Sequence, residues 1–225
     1  MRENLTRVIE DYLKTIYDLT ASNDRATTNQ IAERMEVTPA SVTNMVQKLA
    51  LTEPPLLDYR KHRGVKLTPE GEKVALEIIR HHRLLEMFLH QTLGYSWDEV
   101  HEEADRLEHV ISEELEERIA TSLGDPLHDP HGDPIPTREL HLPLTSEVPL
   151  SQLRPPQDAE VRRVRDGDPE LLRYLSEMGI KPQARLEIIE YSPFDNNLQV
   201  RIAGREEPVV LGTRVTNQVY IELVG

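Results

Sequence analysis

Eight prolines fall between positions 126 and 156 (Pro126, Pro130, Pro134, Pro136, Pro143, Pro149, Pro155 and Pro156). They forbid a long helix or an interior strand there and cut the chain into two parts of different character. Upstream, apolar residues recur at helical spacing. Downstream, from Ala159, short strand-like runs alternate with turn residues. The chain is therefore read as mainly α with small β parts. Absence of cysteine excludes disulfide scaffolds, thiolate nucleophiles, zinc fingers and iron–sulfur clusters. No apolar run approaches the ~18 residues that a membrane-spanning helix needs, and the first residues carry no secretion pattern. A soluble, cytoplasmic protein with no membrane partner is expected.

Residues 4–20 place Leu5, Val8, Ile9, Tyr12, Leu13, Ile16 and Tyr17 on one helical face, and Ala21-Ser22-Asn23-Asp24 ends that helix. Thr28 to Met35 and Ser41 to Ala50 read as two short helices. Between them lies a turn in which Thr38 is a natural N-cap and Pro39 suits the first helical turn. Leu56 to Tyr59 and Gly64 to Leu67 then form a hairpin with the basic tip Arg60-Lys61-His62-Arg63. Helix, helix-turn-helix and basic hairpin in this order make a winged helix-turn-helix. The net charge of −14 argues against nucleic acid only as an average. The whole acidic excess lies beyond position 90, while the stretch from Thr38 to Lys66 is net positive.

Base edges would be met at the front of the second short helix by Thr38, Pro39, Ala40, Ser41 and Asn44. Thr28, Asn29, Lys48, Arg60 and Arg63 would meet phosphates, and His62 is read as a further phosphate contact. A recognition unit of this size implies a homodimer on palindromic double-stranded DNA.

A long helix follows over 70–93, and Ser96 with Glu99 reads as a capping box opening another that runs to about Ala120. On that helix His101, Asp105, Glu108 and His109 share one face. His82 and Glu86 lie one turn apart on the helix before it, and Asp11 sits on the first helix. Oxygen and nitrogen donors without sulfur suit a divalent ion such as Mn²⁺ or Fe²⁺. Plain surface charge accounts for much of the acidic sequence. Two His–carboxylate helices in succession beside a DNA-binding unit favour a metal site. His81, His90, His128 and His141 are read as surface residues. The domain boundaries expected are 1–73 for the winged helix, 74–145 for a helical metal and dimerisation domain, 146–158 for a proline-rich linker and 159–225 for a small β-barrel.

The runs Tyr12-Leu13-Lys14-Thr15-Ile16-Tyr17, Ile31-Ala32-Glu33-Arg34, Leu67-Thr68-Pro69-Glu70-Gly71, His82-Arg83-Leu84-Leu85-Glu86, Glu108-His109-Val110 and Gly132-Asp133-Pro134-Ile135-Pro136 resemble the diphtheria-toxin-repressor family. The resemblance spans nearly the whole chain. It implies a metal-activated dimeric repressor of metal-uptake genes, not an enzyme, with a C-terminal barrel of Src-homology type and no small organic ligand. It maps a primary site onto Asp11, Asp105, Glu108 and His109. An ancillary site maps onto His82, Glu86, His101 and Asp168, with Asp129 and His131 added in some members. Carboxylates at Asp11 and Asp105 are similar to the manganese-sensing branch, so Mn²⁺ is the expected effector. Fe²⁺ is the alternative, and Co²⁺, Ni²⁺ or Zn²⁺ would act as in vitro surrogates. Lys14 departs from that branch, where some members carry Glu and bridge two ions. Mutual repulsion of Asp11, Asp105 and Glu108 is the expected reason that the metal-free first helix moves away. The different-class alternative is a helical di-metal carboxylate enzyme, but the Glu-x-x-His pairs of such enzymes are missing.

Overall fold

The computed structural model describes residues 5–21, 23–143 and 145–224. Residues 1–4, on which the expectation of no leader and the start of the first helix partly rest, lie outside them, as does Ser22 of the expected helix break. The chain divides into two compact units. One comprises Met1–His81, Glu108–Ile111 and Pro136–His141; the other comprises His82–Leu107, Ser112–Ile135 and Leu142–Gly225.

In the first unit, α1 (Arg7–Thr20) buries Ile9, Tyr12, Leu13 and Ile16, at the i, i+3, i+4, i+7 spacing of one inner face. α2 (Thr28–Arg34) opens with a capping box in which Thr27 and Gln30 satisfy each other's backbone N–H groups. α3 (Pro39–Ala50) opens at Thr38, whose hydroxyl accepts from the Ser41 N–H, and it buries Val42, Val46 and Leu49. β1 (Leu57–Arg60) and β2 (Gly64–Leu67) pair antiparallel from Leu57↔Leu67 to Arg60↔Gly64. An added bridge joins Ala26 to Val65. One apolar cluster of Leu13, Ile16, Ile31, Val42, Val46, Leu49, Leu57 and Val65 holds these elements together. α4 (Pro69–Leu93) starts after Thr68, whose hydroxyl accepts from the Gly71 N–H. Its later residues, from His82, belong to the second unit.

The second unit contains α5 (Val100–Leu107), α6 (Glu113–Ser122) and a six-stranded antiparallel sheet in the order β3-β8-β4-β5-β6-β7. Its strands are β3 (Val148–Pro149), β4 (Gln157–Val164), β5 (Arg185–Tyr191), β6 (Leu198–Ile202), β7 (Val209–Leu211) and β8 (Val219–Leu223). α7 (Pro169–Met178) and the short α8 (Thr213–Thr216) complete it. Bulges at Val161/Arg163 and Ile188/Glu190 bend the sheet around a core of Val161, Leu172, Leu175, Leu186, Val200 and Ile221. No helix among the described residues is long and apolar enough to cross a membrane.

Two expectations are corrected here. The single helix over 96–120 is two helices, because Ser112 caps a new one by accepting from the Leu115 N–H, and Glu108 to Val110 form a turn. The segment 146–158 is not a bare linker. Val148 and Pro149 pair with Ile221 and Tyr220, and Leu150 and Leu153 are buried in the barrel core. Pro149 fits there because a terminal edge position needs no donated N–H.

Candidate metal centres and nucleic-acid interface

The turn at 108–110 sets the first cluster. The capping box at Ser96 does form, with Glu99 accepting from the Ser96 N–H and hydroxyl, but α5 stops at Leu107. Glu108 and His109 therefore leave the helical face they were expected to share with His101 and Asp105. In the first unit they meet the acidic flank of α1. His109 Nε2 lies 2.9 Å from Asp11 Oδ1 and 3.2 Å from Glu108 Oε1, without a well-aligned hydrogen bond to either. These three ligand atoms all lie within 4.8 Å of one another.

The other ring nitrogen, Nδ1, is 2.7 Å from Glu10 Oε2. Glu10 was not foreseen as part of the site. A carboxylate behind a ligating imidazole fixes its tautomer and raises its basicity. No local sequence signal marks it: Glu10 reads as an ordinary acid before Asp11, and its burial, at 3% exposure, is set by tertiary packing. Lys14 Nζ donates to both Glu108 oxygens, at 3.0 and 2.8 Å. The Lys14 ammonium thus sits on the Glu108 carboxylate.

Burial works against a charged His109, but the surrounding carboxylates of Asp11, Glu10 and Glu108 win and push its pKa up to about 10. The three carboxylates of the metal-free cluster are therefore offset in part by the imidazolium and by Lys14. That amends the expectation that bare carboxylate repulsion drives α1 away.

The second cluster lies wholly in the second unit. His82 Nε2 is 2.9 Å from Glu86 Oε1, and His101 Nδ1 is 3.2 Å from the same oxygen. Asp166 Oδ2 is 3.3 Å from His101 Nδ1. Asp105, mapped to the primary site, lies 3.2 Å from His82 Nδ1 and 3.6 Å from His101 Nε2. Asp168, mapped to the ancillary site, is occupied elsewhere: it caps α7 by accepting from the Glu170 and Leu171 N–H groups. Asp166 stands in its place. The signal was legible, since an Asp directly before a proline at the first helical position is an N-cap.

Glu86, Asp129 and His131 form an adjoining, fully buried set. Gly132 allows it: at φ 91° a Cβ there would lie 2.0 Å from the Arg162 carbonyl. The loop therefore lies against β4, where the His131 carbonyl accepts from the Val164 N–H. Asp129 Oδ1 accepts from the His131 and Asp133 N–H groups. His131 Nε2 bonds the Trp97 carbonyl at 2.6 Å, which leaves Nδ1 facing Glu86 at 3.8 Å. Three buried atoms, Glu86 Oε2, Asp129 Oδ2 and His131 Nδ1, have no hydrogen-bond partner. Buried polar atoms are rarely left so, and two carboxylate oxygens and an imidazole nitrogen converging are a donor set that a divalent cation fits.

Burial opposes charge on Glu86, yet His82, His101 and His131 hold its carboxyl well below the ordinary range. Against burial, the carboxylates of Asp166 and Glu86, accepting hydrogen bonds from the ring, carry His101 up to about 10, and Glu86 carries His131 up to about 9. Burial and the Glu86 charge push Asp129 well above the ordinary carboxylate range. Protons thus hold the place of cationic charge. A metal must displace them, so Mn²⁺ binding at pH 7 is expected to release about one proton per ligating imidazole of this kind. Calorimetric titration in two buffers of different ionisation enthalpy reads that number; heats independent of the buffer would refute it.

On α2 and α3, Asn29, Thr38, Pro39, Ala40, Ser41, Asn44 and Lys48 are exposed, with Thr28 half-buried at the start of α2. Arg60, His62 and Arg63 are exposed at the hairpin tip. Asp58 accepts from Arg25 and lies 3.4 Å from Arg60. Of the histidines read as surface residues, His90, His128 and His141 are exposed, whereas His81 is fully buried.

Residues 4–65 match the iron dependent repressor N-terminal DNA binding domain. Residues 68–137 match the iron dependent repressor metal binding and dimerisation domain, and residues 148–223 match the FeoA domain. The iron-dependent repressor IdeR of Mycobacterium tuberculosis is 32% identical over 98% of this chain and 99% of its own length. The diphtheria toxin repressor of Corynebacterium glutamicum is 30% identical over 83% and 86%. Among solved structures, a manganese-dependent transcriptional repressor in complex with manganese superposes with a TM-score of 0.89 at 38% identity, covering 96% of this chain and all of that one. The manganese regulator SloR gives 0.78 at 34%, covering 96% and 98%. These relatives are repressors, not enzymes, and the di-metal enzyme alternative is set aside. The winged helix-turn-helix, the oxygen and nitrogen clusters and the barrel come together as one conclusion: this chain belongs to the diphtheria-toxin-repressor family of metal-dependent, DNA-binding transcriptional repressors.

Proposed function

We propose that this repressor is activated by Mn²⁺ and, as a homodimer, binds palindromic operators of metal-uptake genes in the cytoplasm. The observation that carries the choice of ion is the donor set: Asp11, Glu108 and His109 at the first cluster, and carboxylates with imidazoles at the second. Hard oxygen ligands with nitrogen and no sulfur suit Mn²⁺ better than softer, later metals. The manganese-bound relative supports the same reading. A bound divalent cation supplies the positive charge that ties Asp11 on α1 to Glu108 and His109. The chain's own part is to hold those ligands: Glu10 orients the His109 ring, and Lys14 retains Glu108. Exposed Thr38, Ser41 and Asn44 reach base edges, and Thr28, Asn29, Lys48, Arg60 and Arg63 secure the phosphates. We take the domains as 1–73 for the winged helix and 74–145 for the metal and dimerisation domain, with the barrel from Val148.

The test is operator affinity against free Mn²⁺ and free Fe²⁺ under anaerobic conditions, with a chelator control. Manganese is expected to tighten binding by about 5–150-fold per coupled site, and EDTA to reverse it. A response to Fe²⁺ alone at matched free concentration would assign the iron branch, and indifference to both ions would reject metal activation.

A further inference from the structure

We propose that His81 is a positioning residue for the Asp11–Glu108–His109 site, acting through the backbone of Glu108. His81 lies on α4 next to the ligand candidate His82, yet it points elsewhere. Its side chain is fully buried in the first unit, and the ring N–H at Nδ1 donates to the Glu108 carbonyl at 3.1 Å. That carbonyl lies just past the last residue of α5, in the turn that presents Glu108 and His109 to α1. Two consecutive ligand candidates thus hang on a segment that is not part of either flanking helix. A buried hydrogen bond from a stiff ring sets where the segment stands, and hence where both side chains point.

The neighbours of His81 show that α4 works this way along its length. Arg80 donates to the Pro136 carbonyl at 2.7 Å in the same unit. In the second unit Arg83 donates to the Pro134 carbonyl at 2.6 Å. The run Arg80-His81-His82-Arg83 therefore interleaves one ligand candidate with three backbone anchors, two on the Pro134–Pro136 run and one on the turn at Glu108.

The inference rests on the metal reading of the first cluster, so the experiment keeps the two separable. Full-length wild type, H81L, H81N and H81Q are titrated with Mn²⁺ alone. Total bound ion is counted by electron paramagnetic resonance. The second cluster is followed separately by fluorescence of Trp97, the single tryptophan, whose ring stacks on His131 at 5.7 Å. Wild type should show an ion class that Trp97 does not report. H81L should weaken that class by about 10–100-fold, as loss of an outer-shell partner does, and leave the Trp97-reported class within about twofold.

Asparagine carries its amide near the place of Nδ1 and should recover most of the affinity. Glutamine, whose amide falls near Nε2, should not. Comparing H81N with H81Q keeps the test sharp even if H81L fails to fold. An unchanged isotherm in H81L or H81Q overturns the inference, as do equal losses in both ion classes or an H81N no better than H81Q. Absence of the additional class in wild type removes the metal reading itself, and the inference with it.

Discussion

Asp11→Ala is expected to leave a folded, DNA-competent protein whose operator affinity barely responds to Mn²⁺. Asp11 is the ligand candidate that α1 contributes to the first cluster, 2.9 Å from His109 Nε2, and at 36% side-chain exposure its truncation opens no core cavity. Glu108 and His109 remain held by Lys14 and Glu10, so the other half of the site persists. What disappears is the ligand that α1 would contribute to the ion; the metal-independent contacts of α1 with the turn at 108–110, through Glu10 and Lys14, remain. The metal-dependent gain, about 5–150-fold per coupled site, should fall toward onefold. Metal-free affinity should change little, because the Lys14 and His109 charges already offset the carboxylates. Fluorescence anisotropy of a labelled operator, with and without Mn²⁺, reads the gain directly, and a melting curve of the metal-free variant checks the fold. Metal stimulation equal to wild type would mean that α1 is not tied through Asp11.

The same cluster shows what the sequence could and could not disclose. Periodicity and caps located α1, α2, α3, the hairpin and the strands, because each rests on local chemistry: Thr38 before Pro39, Gly179 after Met178, apolar residues every three or four positions. The helix over 96–120 failed for want of a visible breaker. Neither proline nor glycine lies there, and only Ser112 marks the restart. That one break undid an inference from spacing: Asp105 stays on α5 beside His82 and His101, while Glu108 and His109 swing to α1. Asp166 was lost to Asp168 because two acids flank one glycine, and only cap geometry decides between them. His81 looked like a surface residue because its burial depends on a segment 27 residues away. Tertiary partners, not local pattern, set the first and last of these outcomes, whereas the Asp168–Pro169 cap is a local signal.

Glu86→Gln is expected to act on stability and on metal together, at the second cluster. Glu86 is completely buried and faces three imidazoles: His82 at 2.9 Å and His101 at 3.2 Å through Oε1, and His131 at 3.8 Å through Oε2. The amide keeps the shape and removes the charge. Breaking a buried charged pair on one side costs about 3–5 kcal/mol, moderated here because the imidazoles can shed their protons.

The pH profile distinguishes charge from packing. His101 and His131 have folded-state values of about 10 and about 9, above the ~6.5 of an unfolded chain. Their stabilisation is fully present below about pH 6.5 and is lost as pH rises through 9 to 10. Glu86 is depressed, so its stabilisation is present above about pH 4.5, its unfolded value, and is lost as pH falls through its folded value.

Metal-free wild type should therefore be most stable near pH 5–6 and weaken on the alkaline side, whereas E86Q should start lower and lose less over that alkaline window. Asp166, held down to about 2 by the hydrogen bond from His101 even though burial opposes it, retains part of the His101 contribution in the variant. Mn²⁺ affinity reported by Trp97 should drop by more than the ~10–100-fold typical of an outer-shell partner, since a shared ligand is gone. Urea unfolding of the metal-free proteins from pH 5 to pH 10 tests the first part. Parallel curves for the two proteins would mean that Glu86 contributes shape rather than charge.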